Sequence, residues 1–388
     1  MKYSSLVERI AGESAEVWDI HNEARKRFEN GEDVIKLSIG EESDETTPAF
    51  IQKEAIASIR RGRHHYTQVV GEDHLRKAIA KRHQQRTGQQ ISLENVCIFA
   101  GAQNALFSVC LCLLEKGDEV IVPELYYATY PATVTAGGAT LVAIQTNAEM
   151  GFQPDPKSIS KAVTSKTRAV LLNSPNNPSG AVYSPGTLTA ILELCRAHEI
   201  WVISDEVYSE IAPEGFTPIA SLTGSHEQTV TISSLSKSHR MTGWRCGWMV
   251  GPEKLTRHLT KLNMCMTYGL PPFIQDASAT ALEKDWDTAK QVKTRLDSNR
   301  MILRELESIE GAKLFAQGGG MFAILDTRPF GLSSREFCWK LLDQQGVSVL
   351  PCDGFGLSGR GLVRISLCES EATTREAVRR IYSFVKSL

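Results

Sequence analysis

The chain has 388 residues, 42% of them apolar and 23% charged, with a formal net charge of −2. That length allows two or more domains with a large core, and the composition is ordinary for a globular protein. The near-neutral charge argues against a polyanionic partner or a charged membrane surface, so no nucleic acid and no membrane are expected. Residues 1–6 lack the apolar core of a signal peptide, and no apolar run approaches the roughly 18 residues of a membrane span. The nine cysteines are scattered, most in apolar contexts such as Val109-Cys110-Leu111-Cys112-Leu113-Leu114. They read as small core hydrophobes in a reducing, cytoplasmic compartment. With no Cys-x-x-Cys and no His-x-x-x-His, no metal site is expected.

Along the chain, Leu75, Ala78, Ile79 and Arg82 recur at helical spacing. A strand is predicted at 96–99, then a helix over 105–115 that stops at Gly117 as a left-handed cap. Further strands are predicted at 119–122, 140–144, 169–172, 201–204, 230–233 and 246–250, with a helix over 187–198 ahead of Trp201. Short β-rich runs alternating with helices indicate α/β units and a largely parallel sheet. Beyond residue 285 the pattern changes to a charged helix near 286–310, Gly318-Gly319-Gly320, and a strand at 321–325. A helix at 334–345, strands at 347–350 and 362–366, and a closing helix follow. The expected organisation is an arm with part of a small domain (1–45), a large domain (46–285) and a small α+β domain (286–388).

Ligands of open α/β sheets sit at the carboxyl ends of the strands, and there the unusual residues collect. Strand 96–99 leads into Ala100-Gly101-Ala102-Gln103-Asn104, small residues opening a helix, where backbone amides and the helix dipole favour a phosphate. Strand 119–122 leads to Tyr126-Tyr127-Ala128-Thr129-Tyr130, a source of a stacking ring. Strand 169–172 leads to Asn176-Asn177-Pro178-Ser179-Gly180, and strand 201–204 to Asp205-Glu206-Val207-Tyr208. Strand 230–233 leads to Ser234-Leu235-Ser236-Lys237, with Gly243-Trp244-Arg245-Cys246-Gly247 close behind. Five strand ends thus deliver a phosphate cup, a ring, an amide, a carboxylate with a phenol, and an amine. Singly each has a plain explanation: turn chemistry for Asn-Pro-Ser-Gly, a helix N-cap for Asp205, a solvated loop lysine for Lys237.

Taken together, these motifs, with Tyr66-Thr67, Gly71, Leu75-Arg76 and Arg364-Ile365-Ser366, resemble the class I/II aminotransferases, the pyridoxal-phosphate (PLP) enzymes of fold type I. The resemblance implies the PLP-dependent transferase fold, a large domain with a mostly parallel sheet plus a smaller α+β domain. It implies PLP as cofactor, with Lys237 as the Schiff-base lysine and general base and Asp205 paired to the pyridine nitrogen. Asn177 and Tyr208 would hydrogen-bond the ring oxygen, and Tyr127 would stack on the ring. Gly101, Ala102, Gln103, Ser234 and Arg245 would hold the phosphate. Tyr66 would reach the phosphate of a neighbouring subunit, implying a homodimer with shared sites. Arg364 would grip the substrate α-carboxylate as a bidentate fork, with the Gly40 backbone and Asn177 nearby. The implied reaction is ping-pong transfer of an amino group from an L-amino acid to a 2-oxo acid. A C–S lyase or decarboxylase on the same fold uses the same lysine, aspartate and arginine. A non-catalytic PLP-binding regulator is a further alternative, disfavoured because only about 40 residues precede the first motif, too few for a DNA-binding module.

Gly354-Phe355-Gly356-Leu357-Ser358-Gly359 has dinucleotide spacing, but a strand rather than a helix is expected after it, which removes the nucleotide context. Many members of the family carry Pro-Asp-Phe after the glycine at position 40; this chain has Glu41-Glu42-Ser43-Asp44-Glu45. The segment reads either as a solvated acidic loop or as a negative rim selecting a cationic side chain. Ser236-Lys237-Ser238-His239, Tyr268-Gly269 and Phe273-Ile274-Gln275-Asp276 are similar to the arginine–pyruvate transaminase branch. An aspartate donor would want a second cationic group, which the sequence does not locate, and an aromatic donor also stays open.

Overall fold

The computed structural model describes residues 1–10, 17–42, 44–285 and 287–388. Ser43 of the acidic segment, residues 11–16 of the expected arm and Trp286 at the expected domain boundary lie outside the described residues. In chain order the described elements begin with α1 (Ser5–Ile10), α2 (Asp19–Glu29), β1 (Ile35–Lys36), α3 (Ala49–Arg60) and α4 (Asp73–Thr87). Next come β2 (Val96–Phe99), α5 (Ala102–Leu113), β3 (Glu119–Pro123), α6 (Tyr130–Thr135), β4 (Thr140–Ile144) and α7 (Pro156–Ala162). The middle continues through β5 (Thr167–Asn173), α8 (Pro185–Ala197), β6 (Trp201–Asp205), β7 (Thr229–Ser234) and β8 (Gly247–Val250). Then follow α9 (Glu253–Met266), α10 (Pro272–Lys284), α11 (Thr288–Leu303), β9 (Lys313–Phe315), β10 (Phe322–Asp326) and α12 (Ser334–Gln345). β11 (Val347–Ser348), β12 (Leu350–Pro351), β13 (Leu362–Ser366) and α13 (Glu371–Lys386) complete the chain.

Seven strands form the main sheet in the order β2-β8-β7-β6-β5-β3-β4. β8 pairs antiparallel with both neighbours, and the other pairs are parallel. Central strands β5, β6 and β7 are almost wholly buried, β5 and β6 as mainly apolar runs and β7 alternating Val230 and Ile232 with threonines and serines, as helices on both faces require. The chain passes from β3 outward to β4, then returns to β5 on the other side of β3. That reversal opens a crevice at the carboxyl ends of β3 and β5, where a doubly wound sheet binds its ligand.

A second sheet, β12-β13-β10-β9, is antiparallel throughout, and β1 pairs with β11 in a parallel ribbon. These strands pack with α2, α11, α12 and α13 around one apolar cluster that includes Ile20, Leu296, Phe337, Leu341, Phe384 and Ile381. Residues near the N-terminus therefore share a core with the last hundred.

Three element predictions shift. The helix expected to end at Gly117 ends at Leu113, because Leu114 is already extended, and Gly117 supplies its positive φ to the turn before β3. The strand expected at 246–250 begins at Gly247, because Arg245 is left-handed (φ 55°). The single strand expected at 347–350 divides: Val347–Ser348 joins β1 and Leu350–Pro351 joins β13, so the chain changes partner around Val349.

Ile203, in the middle of β6, is fully buried between helices. Ile203→Ala is expected to destabilise the fold by about 2–5 kcal/mol, the usual cost of a transfer loss plus a cavity. Urea denaturation checks this: the midpoint should fall with the slope unchanged.

Candidate active site

The crevice holds a cavity of about 250 Å³ whose lining includes Gly40, Ala102, Gln103, Tyr127, Asn177, Asp205, Tyr208, Ser234, Lys237, Arg245 and Arg364. Of the predicted residues, Gly101 lies at its edge and Tyr66 lies elsewhere. Tyr66 is 89% exposed and meets Tyr268 edge-on, with ring centroids 5.2 Å apart.

One end of the cavity is shaped by missing side chains. Gly101 has φ 88° and stands at the N-terminus of α5. A Cβ there would sit 2.4 Å from Arg245 Nη2, and a Cβ at Gly247 would sit 2.3 Å from the Ala102 nitrogen. Only glycines permit this approach of guanidinium, strand and helix start. A guanidinium beside free helical N–H groups makes a cradle for a phosphate. Gln103 uses its amide locally, donating to Thr133 Oγ1 (3.0 Å) and accepting from Thr129 Oγ1 (2.8 Å).

The floor is a carboxylate. Asp205 ends β6, is buried, and accepts a 2.7 Å hydrogen bond from the phenol of Tyr130. Its Oδ1 accepts from Val207 N (3.3 Å), so it closes a turn instead of capping a helix. No cation lies within 4 Å of it among the described residues. Burial raises its pKa from 3.8 to about 6, against the Tyr130 hydrogen bond. Neighbouring Glu206 is pushed up to about 7, again chiefly by burial.

Lys237 follows β7 and donates from Nζ to the Gly40 carbonyl at 2.9 Å. Burial lowers its pKa, which favours the neutral, nucleophilic amine. Gly40 is held by Phe322, whose ring would lie 2.5 Å from a Cβ at that position.

Arg364 is the largest fully buried side chain. It donates to Asn177 Oδ1 (3.0 Å) and to the Ser38 carbonyl (2.6 Å), while its Nε has no partner. Phe322, Phe355 and Trp18 surround it with ring centroids at 4.1, 5.5 and 5.7 Å. Asn177 Nδ2 donates in turn to the Tyr208 hydroxyl at 3.3 Å. A buried guanidinium without a carboxylate is costly, and an entering anion relieves that cost.

Tyr130, Asn173, Trp18 and Phe322 belong to the site although sequence reasoning assigned them no role. Asn173 orders the amide loop: its Nδ2 donates to the Asp205 carbonyl, and its Oδ1 accepts from Asn177 N. Tyr130, at the start of α6, meets the Tyr127 ring edge-on with centroids 5.9 Å apart. Trp18 and Phe322 carried no sequence signal, because they arrive from distant segments.

The acidic segment divides. Glu42 pairs with Arg240 at 2.8 Å, Asp44 with Arg295 at 2.6 Å, and Glu45 with both at 3.6 Å. Those three carboxylates share two arginines, and neither a fully solvated loop nor a rim of four free charges describes them. Glu41 instead accepts from the hydroxyl of Thr242, which lines the cavity. Gly354-to-Gly359 forms short 3-10 turns leading into β13, without the helix that a nucleotide site requires.

The comparisons fit this geometry. A family model described as "Aminotransferase class I and II" matches residues 32–381. The chain belongs to that family. It is 46% identical over 383 residues to the arginine–pyruvate transaminase AruH of Pseudomonas aeruginosa, covering 98% of this chain and 97% of that one. It is 32% identical to an aspartate aminotransferase of Pyrococcus horikoshii, covering 92% and 93%. The aspartate aminotransferase of Thermus thermophilus solved with maleate superposes with a TM-score of 0.93 at 28% identity, over 99% and 100% of the two chains. This aminotransferase therefore has the α/β architecture of those enzymes, and none of its described helices is long and apolar enough to cross a membrane.

An aminotransferase that keeps Asp205 buried bears the cost of its charge. The folded chain binds that proton more tightly than the unfolded chain does, so ionisation destabilises the fold. The cost is absent below the ordinary carboxylate range and complete above about pH 6. Asp205→Asn should raise the melting temperature of the cofactor-free protein by roughly 2–6 °C near pH 8. The gain should fade as pH falls toward 4, which thermal denaturation across that range checks.

Proposed function

We propose that this chain is a PLP-dependent aminotransferase moving the amino group of a cationic L-amino acid such as arginine to a 2-oxo acid such as pyruvate. The observation that carries this reading is one cavity in which the Lys237 amine stands with a buried carboxylate and a buried guanidinium, neither paired with an opposite charge. The cradle beside Arg245, Gly101 and Gly247 would hold the cofactor's phosphate, and Asp205 would pair with its pyridinium. When bound, PLP supplies an aldehyde carbon that takes up the donor's amine and a ring that accepts electrons released at the donor Cα.

The chain's residues do the rest. Asp205 would be kept ionised by a pyridinium and would hold the ring nitrogen protonated. Asn177 and Tyr208 would donate hydrogen bonds to the ring oxygen, and Tyr127 would stack on the ring. Arg364 clamps the substrate α-carboxylate as a fork and so aims the Cα proton at Lys237. Lys237, held as a neutral amine by burial, takes that proton and later returns it. Donor and acceptor share the grip of Arg364, so they occupy the site in turn, which is ping-pong order. Residues 1–45 supply an arm, whose helix α1 packs on α6, and part of the small domain; 286–388 supply the rest of that domain, which carries Arg364, and 46–285 form the large one. Tyr66, exposed on a single chain, suits contact with a second subunit's phosphate in a homodimer. Nine free thiols suit a reducing cytoplasm.

Two features favour a cationic donor. Among the described residues of this chain the lining has three cations, Lys237, Arg245 and Arg364, and each has a role. Glu41 is the carboxylate of its segment without an arginine partner, and it contacts the lining through Thr242. The identity to the arginine–pyruvate enzyme points the same way.

Single-turnover mixing of the holoenzyme with each amino acid tests both parts. Lys237→Ala should bind PLP yet convert donor to 2-oxo acid at least about 100-fold more slowly, the scale of a lost proton carrier. Normal conversion would remove Lys237 from the reaction. In a donor panel, arginine and lysine should outpace aspartate, and Glu41→Gln should cost arginine about tenfold relative to alanine, about 1.4 kcal/mol. A panel led by aspartate would overturn the cationic-donor reading and leave the aminotransferase reading intact.

A further inference from the structure

The glycine-rich segment before Arg364 has no nucleotide to hold, yet it is tightly built. Its partner is Glu124, the residue following β3 and three places before Tyr127. Glu124 is 2% exposed and has no cation within ion-pair distance among the described residues. Its carboxylate accepts three hydrogen bonds from one turn: Leu357 N at 3.1 Å, Ser358 N at 2.8 Å and Ser358 Oγ at 2.6 Å. Gly356 (φ 116°) lets the turn close on it, since a Cβ there would meet Glu124 Cγ and Cδ at 2.6 Å. Tyr126 N donates to the Phe355 carbonyl at 3.0 Å, and Thr146 N to Ser358 Oγ at 3.1 Å.

Burying a carboxylate without a cation is expensive, and donor-rich turns offset that cost only when both oxygens accept. A glutamine would aim an NH2 at a backbone N–H. The charge is thus specified by the turn it holds. On one side of this joint, Tyr127 lines the cavity. On the other, Phe355 is fully buried with its ring 5.5 Å from the Arg364 guanidinium, and β13 carries Arg364 itself.

We propose that Glu124 is a positioning residue, tying the turn at 354–359 to the Tyr127 segment and thereby setting the position of the Arg364 fork in the cavity. The proposal rests on the reading of Arg364 as the substrate carboxylate grip. It concerns binding of the α-carboxylate, common to donor and acceptor, and not the cofactor.

The test is a double-mutant cycle on the holoenzyme with Glu124→Gln, Arg364→Ala and the pair, using the fastest donor of the panel and pyruvate. Glu124→Gln should raise KM for both substrates about tenfold, as expected for a charged hydrogen-bond set broken at one oxygen. The visible absorption of the bound cofactor should not change. In the Arg364→Ala background the same substitution should add less than about twofold, because its effect passes through the arginine. If Glu124→Gln does not fold, Ser358→Ala, which removes one donor, should raise both KM values in parallel by a few-fold. Unchanged KM values beside a lowered melting temperature, or effects that multiply in the double variant, overturn the proposal while Arg364→Ala stays impaired. If Arg364→Ala itself leaves both KM values unchanged, the carboxylate reading of Arg364 falls and this proposal with it.

Discussion

Two opposite charges are buried in one cavity and kept from each other. Asp205 lies on the floor, hydrogen-bonded to a phenol, and Arg364 lies on the small-sheet side, hydrogen-bonded to an amide and a carbonyl. Each is desolvated without the counter-charge that would offset the cost. Folding supplies the compensation in other ways: β6 and β13 are deep in apolar packing, and Arg364 is enclosed by three aromatic rings whose faces carry partial negative charge. The site presents a negative charge at one end and a positive one at the other. In the proposed reading, a cationic ring and a substrate carboxylate would complement the two. Stability is therefore spent where binding recovers it.

The sheet explains why the site has this shape. Parallel strands bring their carboxyl ends to one edge, and the reversal between β3 and β5 leaves room there. Every polar group of the floor comes from a strand end or the next few residues, so its backbone is fixed by the ladder behind it. The amine at 237 sits beyond β7, and its neighbour Arg245 turns back through a left-handed residue to meet α5. Positive charge and helix start converge because two glycines allow contact distances that no side chain permits.

What could be read from the sequence follows from how local each signal is. Strand ends were legible because apolar runs stop abruptly at polar strings, and the whole main sheet was placed from them. Gly101, Asn177, Asp205 and Lys237 stand out because each lies within a few residues of such a stop, and Arg245 because it stands between two glycines shortly after Lys237. Long-range packing was silent. Nothing in the sequence couples Trp18 or Phe322 to Arg364, and nothing couples Tyr130 to Asp205, which lies 75 residues away. The acidic run misleads in a specific way: charge density is visible, but Arg240 and Arg295, which pair with three of its four carboxylates, sit 198 and 251 residues downstream of Glu42 and Asp44. The strand at 347–350 was read as one because periodicity cannot show a change of partner.

Asn177 is where these parts become one machine. Its Oδ1 accepts from Arg364 and its Nδ2 donates to the Tyr208 hydroxyl, while its own backbone N–H is held by Asn173. The amide is thus oriented from three sides and polarised along its length. A carboxylate drawn to Arg364 withdraws positive charge from Oδ1, and the amide responds at its NH2 end, facing the phenol that the proposed ring oxygen would meet. Such chains of hydrogen bonds strengthen or weaken together in a low-dielectric interior. In the proposed reading, the guanidinium that would grip the substrate and the phenol that would meet the cofactor are joined through this one side chain.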